Sequence, residues 1–172
     1  DLTANADSFD GTADLDVWGG IIYSGGLTSF DNVSISESDV SVTATTDTGT
    51  ATTGGSRNTG GVMGGGYALS ATDTYIDNNR ITATAQAVNA GKGGGGGIGN
   101  ANARLEYGIL NGGDNGGKGG PGSALHNVDV TNNDVLVQAF TSTGDASASM
   151  SGALVYLEDG SNVVDSFFYN ND

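Results

Sequence analysis

The chain has 172 residues, with 20 acidic against 5 basic side chains (formal net charge −15), 36% hydrophobic residues, 31 glycines, one proline and no cysteine. This excludes a disulfide framework and a thiolate metal site, opposes binding to nucleic-acid phosphates, and leaves few large apolar side chains for a single compact core. No apolar run approaches the length needed to cross a bilayer, so membrane insertion is not expected.

Seventeen of the acids are Asp and only three are Glu (Glu37, Glu106, Glu158). Asp bonds its own backbone in turns whereas Glu favours helix, so the skew predicts many turns and few helices. The chain opens at Asp1 without a signal-like segment, as expected of a processed chain or of a piece of a larger one.

Three signals recur in the same order along the chain. The first repeat, 1–38, starts with an alternating segment, 1–6 (DLTANA), whose Leu2, Ala4 and Ala6 share one face. A glycine step follows at 20–23 (GIIY), then an apolar pair, Val33 and Ile35, before a corner at Glu37 and Ser38. The second repeat, 39–79, has DVSVTA at 39–44, GVMG at 61–64, and Thr74 and Ile76 before Asn78 and Asn79.

The third repeat, 80–133, has RITATA at 80–85, GILN at 108–111, and Val128 and Val130 before Asn132 and Asn133. It is longer because of two glycine-rich loops, 91–99 and 112–122, of the kind that leave a solenoid as surface loops. The fourth, 134–172, has DVLVQA at 134–139, GALV at 152–155, and Phe167 and Tyr169 before Asn170 and Asn171.

Each repeat therefore reads as three strands of one turn of a solenoid. Stacking would pair each strand with its equivalents above and below, line the interior with aliphatic side chains, and stack Asn amides at the corners. Two shorter coils of about 20 residues per repeat are the alternative phase, and the three in-phase signals favour the long one.

The tail, 167–172 (FFYNND), reads into the head, 1–6: counted from Phe167, Leu2 would keep the seven-residue spacing that separates Val33 from Val40 and Val128 from Val135. An uncapped solenoid end is a template for further pairing. The expected partner is therefore the chain itself, as a head-to-tail homopolymer. Phe167, Tyr169, Asn170 and Asn171 of one unit would meet Leu2, Ala4 and Asn5 of the next.

Gly19, Gly20, Ile21 and Ile22 with Phe30, Asn32 and Val33, and Ser151, Gly152, Ala153 and Leu154 with Phe168, Asn170 and Asn171, form a pattern of Gly-Gly-apolar followed by aromatic-x-x-Asn. Gly60 to Met63 with Tyr75 and Asn78 is a looser copy. The pattern resembles the repeats of autotransporter passenger domains and polymorphic outer-membrane proteins. It is also similar to the wider pectate-lyase-like superfamily.

The resemblance implies an extracellular or cell-surface, all-β right-handed parallel β-helix (β-solenoid) of about four long coils with glycine-rich loops. The general handedness of parallel crossovers points the same way. One domain over 1–172 is expected, with a structural role in a fibre, sheath or stalk. The alternatives are a glycan-binding or glycan-cleaving β-helix and a segment of a longer adhesin.

Catalysis finds little support. Asp14 with Asp16, or Glu158 with Asp159, would be the carboxylate pairs of a hydrolase, and Trp18, Tyr23, Tyr107 and Tyr156 the aromatic lining of a glycan groove. The basic residues are scattered, however, and His126 stands alone, so no enzyme is expected. Asp7, Asp10, Asp14 and Asp16 supply the hard oxygens that suit Ca²⁺, but without EF-hand spacing they read first as turn formers. Threonines between 43 and 53 would make a flat ice-binding array only if the other repeats kept them, and they do not.

Overall fold

The computed structural model of the chain describes residues 1–15, 21–24, 27–54, 62–88, 99–106, 109–111, 122–152, 154–157 and 160–172. All regular structure among them is β. The first layer holds β1 (Leu2–Leu15), β2 (Ile22–Ser24), β3 (Leu27–Asp31) and β4 (Ser34–Ser36). The second holds β5 (Asp39–Thr53), β6 (Met63–Gly65) and β7 (Ala68–Asp77). The third holds β8 (Arg80–Ala87), β9 (Asn100–Glu106), β10 (Leu110–Asn111) and β11 (Ala124–Thr131). The fourth holds β12 (Asp134–Thr141), β13 (Ala146–Ser151), β14 (Val155–Tyr156), β15 (Asn162–Val164) and β16 (Phe167–Tyr169).

Every layer contributes to each of three parallel sheets, in chain order. One sheet runs β2, β6, β10, β14, and another β3, β7, β11, β15, with β4 on β7 and β16 on β11. In the third, β5 pairs along its length with β1 and, on its other edge, with β8 and then β9; these carry β12 and β13. The protein is an all-β, β-solenoid-like stack of parallel strands.

The alternating segments lie in register: Leu2, Val40, Ile81 and Val135 share one rung, and Ala6, Ala44, Ala85 and Ala139 another. Because side chains alternate across a strand, the in-phase apolar positions fall on one face and form a continuous interior. Ile76, Ile81, Leu105, Leu110, Leu125 and Val128 are wholly enclosed there.

A second, nearly pure alanine cluster (Ala13, Ala44, Ala51, Ala85, Ala87, Ala101 and Ala103) joins the two halves of the long strands. In β5 the buried positions are Val40, Val42, Ala44 and Thr46, then Ala51 and Thr53, so the inward phase changes from even to odd numbers. The change occurs at Gly49 (φ 115), stacked on Gly11 (φ 107). The strand bends there, its two halves converge, and only small side chains fit inside the angle. This bend explains how so small a stock of large apolar residues still fills an interior.

Two further corners recur in every layer. Asn32, Asp73, Asn127 and Asp165 have φ of 55, 49, 53 and 50, and Glu37, Asn78, Asn132 and Asn170 have φ of 53, 53, 54 and 52. Asn and Asp tolerate this left-handed conformation because their side chains bond locally. The two loops expected at 91–99 and 112–122 lie almost wholly outside the described residues.

The fourth layer departs from the expected phase by one residue. Val155, not Leu154, lies on the rung of Leu110. Phe168, not Phe167 or Tyr169, lies on the rung of the buried Val130, leaving Phe167 beside Asp129 and Tyr169 beside Thr131. Three consecutive aromatics carry no alternation in their own composition, and register alone decides which of them faces in.

Replacing Gly49 tests the bend. A Cβ there would overlap the carbonyl oxygen of Gly11, whereas one on Gly11 meets open space, although both glycines hold positive φ. Gly11→Ala is expected to cost about 1 kcal/mol of conformational strain, and Gly49→Ala clearly more. Thermal unfolding of both variants checks the order.

Candidate functional site: the open strand edges

The ladder has a direction. At the Asn corner, the Asn79 side-chain oxygen accepts the Ser38 backbone N–H at 3.1 Å. Asn133 Oδ1 accepts from both the backbone N–H and the side-chain amide of Asn79, each at 2.9 Å. Asn171 Oδ1 does the same for Asn133, at 3.0 and 2.9 Å. The same amides also donate to main-chain carbonyls: Asn79 to Ile35, Asn133 to Ile76 and Asn171 to Val130.

Hydroxyls repeat the device. Ser123 Oγ accepts the Leu69 N–H at 3.0 Å, Ser161 Oγ the Ser123 N–H at 2.9 Å, and Ser166 Oγ the Val128 N–H at 3.0 Å. For each backbone N–H received by one of these Asn or Ser side-chain oxygens, the donor belongs to the earlier layer and the acceptor to the next. Asn79 and Asn133 are 1% exposed, so each amide must be fully bonded, and the ladder meets that requirement.

The last layer leaves its interior uncovered. Met150, Val163 and Phe168 are 47%, 42% and 40% exposed, while their rung partners Leu105, Leu125 and Val130 are 0–1% exposed. At the other end Leu2 is 37% exposed against 1% for Val40. Among the described residues, β1 to β4 and β12 to β16 each pair on one side only.

The expected interface residues fall on these two ends. Leu2 and Ala4 lie on the inward face of β1, with Asn5 exposed just after Ala4. Phe167 and Tyr169 are exposed on β16, Asn170 holds the left-handed corner, and Asn171 ends the amide ladder. The two groups belong to different sheets, so they are not rung partners of one another.

The seam between tail and head is one residue longer than counted from Phe167. Asp172 already occupies the rung of Asp134: its N–H donates to Asn133 O at 2.9 Å, and its carbonyl accepts from Val135 N–H at 2.7 Å. Joined covalently, Asp1 would fall on the rung of Val135 and Leu2 on the outward rung of Leu136.

Of the calcium candidates, Asp7 and Asp14 are exposed on either side of the Gly11 bend, Asp10 lies on the rung of Thr48, and Asp16 is outside the described residues. Among the described residues no group of three or more His, Cys, Asp or Glu could hold a metal ion. Of the catalytic and groove candidates, Glu158, Asp159, Trp18 and Tyr107 also fall outside them. Tyr156 is half-buried on β14, and His126 is exposed with Nε2 3.9 Å from Asp165. A pocket of about 330 Å³ is lined by Glu37, Asp39, Asn78, Asn79, Arg80, Asn132 and Asp134. It contains no aromatic platform, and Arg80 there is paired with Asp134 at 3.4 Å.

Sequence reasoning missed the stacked glycines, the Asn32–Asp73–Asn127–Asp165 row and the serine rungs. A signal existed for the second: an Asn or Asp stands five residues before each corner residue in all four repeats. Comparison with family models, with curated proteins and with solved structures gave no match.

Asn133→Ala removes the amide that bonds Asn79, Ile76 and Asn171 and leaves their buried groups unpaired, so it should lower stability by about 2–3 kcal/mol, read as a fall in unfolding midpoint without loss of strand content. Asp77 offers a pH test. Its carboxylate accepts from Thr131 Oγ1 at 2.6 Å and Asn132 Nδ2 at 2.7 Å, and these bonds hold its pKa below the ordinary 3.8. The stabilisation is complete above that ordinary value and is lost as pH falls through the depressed one. Asp77→Asn should therefore flatten the acid side of a stability–pH curve.

Proposed function

We propose that the chain is a structural β-solenoid subunit that extends along its axis by pairing its open end strands with another copy, building a fibre, sheath or surface stalk. The observation that carries this reading is the uncovered interior of the last layer, where core positions of the ladder are 40–47% exposed. Apolar surface and unpaired strand edges together favour the addition of another layer. Four layers amount to only about 19 Å of height, so the ends are a large part of the molecule's surface.

A right-handed β-helix, as in the resembling passenger repeats, and an extracellular setting belong to the same reading. Acidic side chains on the outer surface, with a net charge of −15, keep finished fibres apart laterally while leaving the axial faces apolar.

The same charge sets the conditions. Units of −15 repel at low ionic strength, and screening shortens that repulsion to about 10 Å at 0.1 M salt. Raising salt is expected to drive the chain from monomer to rods of constant width and growing length, visible by sedimentation and electron microscopy. A strictly monomeric chain at high concentration and high salt would overturn the reading.

A further inference from the structure

The two end layers have the same proportions throughout. Following rungs through the stack, Leu2 leads to Val135, Ala13 to Ala146, Ile22 to Val155, Phe30 to Val163 and Ile35 to Phe168, each pair 133 positions apart. The inner layers do not share this match: the first and second differ by 38 positions at Leu2 and Val40 but by 41 at Ile22 and Met63.

Resting on the self-assembly reading above, we propose that the occupant of the last layer's open edge is the first layer of a second copy. It lies parallel with residue n on residue n+133, and the Asn171–Ser38 contact serves as the rung that fixes register.

Three observations converge on this join. It is satisfied at all three sheets at once, with Leu2 over Val135, Ile22 over Val155, Phe30 over Val163 and Ile35 over Phe168. A slip of one residue would turn Leu2 and Ala4 outward, and a slip of two would separate Gly11 from Gly144 and Asn32 from Asp165, which share their backbone conformations.

The hydrogen-bond direction also fits. Among the described residues the Asn171 backbone N–H, which its equivalents Asn79 and Asn133 direct to the following layer, has no acceptor. Ser38 Oγ donates to Ser36 O at 3.2 Å and accepts nothing. Ser166 has the same arrangement, donating to Val164 O at 3.0 Å, and its oxygen also accepts the N–H of the layer before it. Ser38 is thus placed to accept from Asn171 of the preceding copy. A tail-to-tail join would set donor against donor.

Charge agrees with the other two. At this offset Asp7 meets Phe140, Asp14 meets Ser147, Asp31 meets Val164, and Asp165 meets Asn32. Acids meet on one described rung, where Asp1 falls on Asp134 and Asp39 on Asp172; Asp172 already occupies the place that Asp1 would take, so one of these two residues turns aside in the join.

The absence of cysteine allows a direct test. Ser36 and Tyr169 are rung partners across the join but three layers apart within one chain, roughly 14 Å, which is beyond disulfide reach. Oxidised Ser36→Cys/Tyr169→Cys protein should run as a reducible ladder of multimers. Ser34→Cys/Tyr169→Cys, slipped by two, should give at least tenfold less, and Ser38→Asn should lower the concentration needed for assembly several-fold. Equal linking of the slipped pair, or dimers only from Tyr169→Cys alone, would overturn the register while rod formation by the native chain still upheld end-to-end growth. A native chain that forms no rods under the same conditions would sink both.

Discussion

In a stack of parallel strands each peptide N–H finds its acceptor in a neighbouring layer, and all three sheets must be satisfied by one relative placement of the layers. That shared register is the constraint on which the rest of the structure depends. It decides which side chains enter the interior and where an added residue can be tolerated. It also decides which polar groups may be buried. Asn133 can be 1% exposed because Asn79, Ile76 and Asn171 supply its partners, each from an adjoining layer. A layer displaced by one residue would lose the amide ladder and the aliphatic interior together.

The corners make a common register attainable. Left-handed residues at Asn32 and Glu37 and their stacked equivalents turn the chain twice within a few residues, and Gly11 and Gly49 bend the long strands. Extra residues enter between these fixed points. The partner spacing from the second to the third layer is 41 at Val40 and Ile81, 50 at Ala51 and Ala101, and 54 at Ala71 and Leu125. Length thus varies in the connections while each rung is kept, in accord with the general cheapness of surface insertions.

Much of this was legible in the sequence where alternation is strict. Val40, Val42 and Ala44 announce an inward face, and their in-phase copies at Ile81, Ala83 and Ala85 announce the rung. The Asn pairs announce a corner that repeats. Legibility ended where a local signal was absent or uniform. The run of Phe167, Phe168 and Tyr169 offers three equivalent residues, and the choice of Phe168 as the inward one is made by Val130 in the layer beneath. The glycine bend escaped notice because 31 glycines hide the few that stack. The open ends were foreseeable in kind but not in detail, since the unpaired donor of Asn171 exists only once the direction of the ladder is known.

That direction has a consequence for how such a stack is finished. On the buried Asn rung and the Ser rungs the side-chain oxygen receives a backbone N–H from the layer before, so there the Asn171 end offers a donor and the Ser38 end an oxygen acceptor. The two ends are chemically different faces, like the two ends of a cytoskeletal polymer. In the proposed fibre growth would be vectorial, with its own rate at each end. A terminator of such a fibre would likewise be end-specific, with an oxygen acceptor set at the Asn171 rung for one end and an N–H donor set at the Ser38 rung for the other.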